Sequence, residues 1–112
     1  MMAYNEYLAS RIRIALVNES FSERKMFGGI AFMLNGNMVC GVIRDSFMAR
    51  VGTHGYDAVL QLPGVSPMNP FGDRPMKGMV MVSEEVTASD ARLQNWVDRC
   101  VAFTRTLPAK NK

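Results

Sequence analysis

Histidine is nearly missing from this chain: one residue, His54, among 112. It stands beside Gly55 with no Ser, Cys or paired carboxylate at an informative spacing, so a turn or helix-start role outweighs general-base work. Cysteine is almost as scarce. Cys40 and Cys100 lie too far apart for a metal knuckle or a CxxC pair, and each is expected to pack as a small core hydrophobe. Long apolar runs are absent as well. Stretches such as Gly78 to Val82 are strand-sized and far short of a bilayer span. The N-terminus, Met1-Met2-Ala3-Tyr4-Asn5-Glu6, has neither a basic nor an apolar segment; no secretory signal is visible, and the cytoplasm is the expected location. These absences remove the usual footholds for catalysis, cofactors, metals and membranes. The reading they leave is a non-enzymatic binding or regulatory module.

What is present is the balance of a folded domain: 48% hydrophobic and 21% charged residues in a length that suits one unit, 1–112, with Ala109 to Lys112 expected to fray. Leu8, Ile12, Ala15 and Leu16 share a stripe and predict a helix over Tyr4 to Val17. Asn35-Gly36, between Ile30–Leu34 and Met38–Ile43, is a hairpin signal, because a type I′ turn needs positive φ at both central positions. Asp45-Ser46 predicts a second reversal into Phe47–Val51. Tyr56 to Gln61 reads as a short helix stopped by Leu62-Pro63-Gly64. Val65 to Phe71 carries Pro67 and Pro70 and belongs at an edge if it is a strand at all. Met76 to Val82 is a better strand. The last helix is the clearest element, with Leu93, Trp96, Val97, Cys100, Val101 and Thr104 in one stripe and Ser89 placed as its N-cap. The expected class is α+β: an antiparallel sheet of four to five strands, an N-terminal helix, a short middle helix and a long C-terminal helix.

With two-residue turns throughout, the pleat puts Ala31, Met33, Met38, Cys40, Val42, Ala49 and Val51 on one side. Ile30, Phe32, Val39, Ile43, Met48 and Arg50 fall on the other. Both faces are substantially apolar, so something must cover the second one: the protein's own helices, a partner or a ligand. Ten methionines are the most unusual feature of the composition. Without accompanying His or Cys clusters, pliable packing or a pliable partner surface outweighs copper(I) binding. Lys25-Met26-Phe27-Gly28-Gly29 lacks the phosphate-loop pattern; its glycine pair is expected at a bulge or a close backbone approach. The net charge is +3, but the basic residues form no clean stripe.

Met26-Phe27-Gly28-Gly29 after Lys25, then Asn35-Gly36 and Met38, then Asp45 and Phe47 to Val51, closely resemble the N-terminal domain of the TfoX/Sxy competence-regulator family. Arg74-Pro75-Met76 and the helix around Trp96-Val97 extend the resemblance across most of the chain. It implies an α+β domain and a link to transcriptional control of DNA uptake, and it carries over no catalytic residue. Those regulators usually have a second, helical C-terminal domain; the expectation here is a stand-alone N-terminal-like domain. It would act by contact with a protein partner of unknown identity, a second copy of itself included, through a surface bearing Phe32, Met48, Arg50 and Lys77. Weak nucleic-acid association through Arg50, Arg74 and Lys77 is the alternative, and a small enzyme using His54 is third.

Overall fold

The computed structural model describes residues 4–26, 28–69, 72 and 75–110. Helix α1 spans Glu6–Ala15 and is capped by Asn5, whose side-chain oxygen accepts the Leu8 N–H at 3.0 Å. It begins later than Tyr4 because Tyr4 instead forms a parallel bridge to Arg44, and the Asn5 N–H donates to the Arg44 carbonyl. The strands are β1 (Ser22–Met26), β2 (Gly29–Leu34), β3 (Asn37–Ile43), β4 (Ser46–Arg50), β5 (Val65–Pro67) and β6 (Met79–Val82). They form one antiparallel sheet in the order β1-β2-β3-β4-β6-β5. Helix α2 (Tyr56–Leu60) precedes β5, and α3 (Asp90–Thr104), capped by Ser89, closes the fold.

The class is α+β as expected, with six strands instead of four to five. The additional strand is β1. Its Ser-Glu-Arg-Lys stretch is exposed and has no apolar alternation, as suits an edge strand whose charges discourage pairing with another chain. Opposite it, three-residue β5 is the other edge and accommodates Pro67.

The Asn35-Gly36 turn has both residues at positive φ, 53° and 80°. The second reversal is Arg44-Asp45, one residue earlier than expected, because Ile43 pairs with Ser46. The glycine pair does two jobs. With Met26 paired to Gly29, Gly28, at φ 76°, sits in the connection between β1 and β2 and not in a bulge. At Gly29 the close approach is real, since a Cβ there would run into the Val42 carbonyl.

One feature reassigns the faces. Phe32 pairs with Cys40 while Met33 pairs with Met38, so Val39 is an extra residue on β3, a β-bulge. Val39 and Cys40 both enter the helix-side core, and the pleat beyond them is inverted relative to an unbroken register. Cys40, Val42, Ala49 and Val51 therefore join Ile30 and Phe32 beneath the helices, together with Phe47, Val80 and Val82. Met33, Met38, Ile43 and Met48 share the opposite face. Phe32 and Met48, expected on one surface, lie on opposite sides of the sheet.

Helices α1 and α3 pack on each other and on β3, and α3 also packs on β4. Trp96 meets the edge of Phe47 with ring centres 6.4 Å apart, and Phe21 meets Phe32 at 5.9 Å. Phe32 and Phe47 are fully buried, each contributing about 2–3 kcal/mol of apolar burial. On the second face Ala31, Met33, Met48, Met68 and Met79 form a separate buried cluster ringed by Met26, Met38, Ile43, Met76 and Met81. Met68, just past β5, is buried in this cluster, and the Met76 N–H donates to the Met68 carbonyl at 2.8 Å. The protein's own chain covers much of the second face.

Candidate binding surfaces

Two surfaces stand out. The first is a groove of about 440 Å³ at the end of the methionine face. Met26, Met33, Met38, Met76 and Met79 supply apolar lining, and Gly36, Gly52 and Gly78 bring backbone to its edge. Gly52 has no room for a side chain, because a Cβ would meet the Phe103 ring. Around the lining stand Arg24 from β1, Arg50 from β4, Lys77 from the turn before β6, and Lys110 from the tail. Among the described residues no acid lines it.

Arg50 is the best held of these cations. Half-buried, its guanidinium donates to the Met38 carbonyl at 3.2 Å and lies 5.9 Å from the centre of the Phe103 ring. That contact fixes the head group and leaves most of its five N–H donors for something else. Lys110 is held through backbone: its N–H donates to the Asn35 carbonyl at 2.7 Å, and the Asn37 amide donates to the Pro108 carbonyl at 3.0 Å. The tail expected to fray is therefore tied to the hairpin through Lys110; 111 and 112 lie outside the described residues.

On the helix side three arginines are matched. Arg11 pairs with Asp90, Arg105 with Glu19, and Arg13 with both Glu6 and Glu23. Its hydrogen bonds to the carboxylates of Glu23 and then Glu6 raise Arg13 above the ordinary arginine range. Among the described residues none of the four groove cations has a carboxylate within ion-pair distance.

The second surface is the outer side of α1. Tyr7 and Ile14, seven residues apart on one flank of α1, and Val17, in the turn just past its end, are 74%, 73% and 71% exposed. Beside them a trough of about 310 Å³ between α1 and α3 is lined by Tyr7, Ser10, Arg11, Ile14, Leu93 and Gln94, among others. The bond from Arg11 to Asp90, at 3.1 Å, bridges the two helices there.

Of the residues singled out in the sequence, Met26, Gly36, Met76, Arg50 and Lys77 converge on the groove. Lys25 is exposed on β1, Gly28 and Asn35 serve turns, Gly29 is packed against β3, and Pro75 is exposed. Phe32 is buried beneath the helices because of the bulge, and Met48 is buried within the methionine cluster, so neither side chain forms an open surface. Phe27 and Arg74 lie outside the described residues. Sequence reasoning missed Arg24, Phe103 and Lys110. Arg24 and Met26 are two apart on one strand and share a face, a signal that was available had β1 been recognised; Lys110 carries no local signal.

His54 is exposed in the turn before α2, and among the described residues no hydrogen bond or ion pair joins it to an acid. The described residues contain no group of three or more His, Cys, Asp or Glu that could hold a metal, and no helix long and apolar enough to cross a membrane. The TfoX N-terminal domain family matches residues 15–104, most of the chain. No curated protein and no solved structure matches it at a significant level.

Proposed function

The chain belongs to the TfoX N-terminal domain family, and from that premise we propose that it is a cytoplasmic, non-catalytic regulatory domain that acts by protein–protein contact through the outer side of α1 and its trough with α3. The family is competence-regulator-like and is not a known enzyme family. The observation that carries the proposal is the row of Tyr7, Ile14 and Val17, each more than 70% exposed. Single exposed apolar residues are ordinary on any surface, but Tyr7 and Ile14 on one flank of α1 and lining the trough, with Val17 in the turn that follows, form a patch of the kind that contacts partners. A partner helix or loop laid along α1 would remove that area from water while Arg11 and Asp90 stay paired at its rim.

Ile14→Glu tests this. The side chain is exposed, so stability should change by no more than about 0.5 kcal/mol. Light scattering across protein concentration and capture of partners from native extract are run on both forms. Self-association, or capture of a protein, that is abolished by Ile14→Glu with the melting temperature unchanged supports the reading; association untouched by the substitution overturns it.

A further inference from the structure

The methionine-face groove is separate from the α1 surface and has a chemistry of its own. Its lining is thioether, flexible and polarizable, which adapts to apolar bodies of varied shape. Its rim carries Arg24, Arg50, Lys77 and Lys110, and among the described residues it has no acid. At about 440 Å³ it falls within the range of small-molecule sites. We propose that this groove binds a small amphipathic anion, a carboxylate or phosphate monoester on an apolar body, with the head group on Arg50 and the body against Met33, Met38, Met76 and Met79.

Three observations favour this occupant. Charge complementarity favours an anion, because the four cations converge without a described carboxylate within ion-pair distance, whereas Arg11, Arg13 and Arg105 on the helix side each have one. The Arg50 head group is held in place by the Met38 carbonyl and by the Phe103 ring, and a held guanidinium loses little freedom when it takes an oxyanion in a forked hydrogen bond. Finally, among the described residues the lining has one aromatic side chain, Phe103, and Arg50 already lies over it. A single-stranded nucleic acid is normally held by a series of stacking rings along a basic track. The described residues of this groove supply the charge without such a series of rings.

The test uses the full chain with its methionine methyl groups labelled for NMR, titrated with laurate, dodecyl phosphate, dodecanol and a single-stranded oligonucleotide, the amphiphiles kept below micellar concentration. Saturable one-to-one shifts of Met33, Met38, Met76 and Met79 with either anion, and none with dodecanol, are expected. The stronger of laurate and dodecyl phosphate identifies the head group. Arg50→Gln should weaken binding about tenfold or more. Because Arg50 also holds Met38, Lys77→Gln, exposed and without that contact, serves as a second variant and should weaken binding with an unchanged melting curve. Equal shifts with dodecanol, or binding unaffected by both variants, overturns the proposal. Shifts with the oligonucleotide alone also overturn it, leaving the groove a polymer-binding surface. None of these outcomes bears on Ile14, so failure here is distinct from failure of the protein-contact reading.

Discussion

Cys40 and Cys100 show how a residue's surroundings set its chemistry. Both are free thiols in the helix-side core. Burial pushes Cys40 well above the usual thiol range and Cys100 up to about 12, the latter despite a backbone hydrogen bond from Arg50 and the charge of Arg99, which act the other way. In the unfolded chain both ionise near about 8.5. As pH rises past that value the unfolded state sheds these protons first, so the folded state binds more of them and rising pH favours unfolding. The contribution is intact below about 8.5 and is lost progressively as pH climbs toward the folded values. Denaturant midpoints should therefore fall more between pH 8 and pH 10 for the native chain than for a Cys40→Ala, Cys100→Ala variant. An equal fall in both would show that the thiols contribute nothing to the pH dependence.

At the scale of elements, the close contact between β2 and β3 leads to a sharp expectation. A methyl at Gly29 has the Val42 carbonyl in its way, whereas at Gly55, the N-cap position of α2, it would meet nothing within 4 Å. Gly29→Ala should cost about 1–3 kcal/mol, and Gly55→Ala no more than about 0.5 kcal/mol; urea midpoints of the two variants, compared with the unmodified chain, check both. The same pair of strands explains what could and could not be read from sequence. The Asn35-Gly36 turn and α3 are legible because their signals are local: two positive-φ positions in one case, an apolar stripe behind a Ser89 cap in the other. The Val39 bulge is not. Nothing about Met38-Val39-Cys40 distinguishes an unbroken strand from one with an extra residue, because all three are apolar and suit either face. One unseen residue then inverted every face assignment downstream, including that of Met48 and Arg50 relative to Phe32. Strand β1 was hidden for the opposite reason: its residues are charged because it lies at the edge, and an edge needs no apolar alternation. Five of the groove's residues were visible in the sequence, Met26, Gly36, Arg50, Met76 and Lys77, but their convergence depends on the bulge and on the burial of Met68 in the methionine cluster, both products of long-range packing.

Across the whole molecule, α3 is the element that touches both surfaces. Leu93 and Gln94 line the trough beside α1, and Phe103 lies under Arg50 at the groove. The rise from Leu93 to Phe103 along the helix is about 15 Å, so one rigid rod sets the position of each surface relative to the sheet. Beyond its end the chain continues as a short strap to the β2–β3 hairpin, fastened by the Asn37 amide on Pro108 and the Lys110 N–H on Asn35. Asn37 is 2% exposed, which makes its hydrogen bond the buried half of that fastening. Asn37→Ala removes the donor and leaves the Pro108 carbonyl without it; the loss should be about 1 kcal/mol, as for an ordinary hydrogen bond. Its larger effect should be local. The strap has no place in a sheet or helix to hold it, so the Lys110 amide should lose its hydrogen-exchange protection while Val101 and Thr104, within α3, keep theirs. With Lys110 no longer held at the rim, the groove loses one of its four cations without any change to the core. Protection of Lys110 undiminished in Asn37→Ala would mean that the bond to Asn35 alone holds the strap, and that the buried amide is not what keeps the tail against the hairpin.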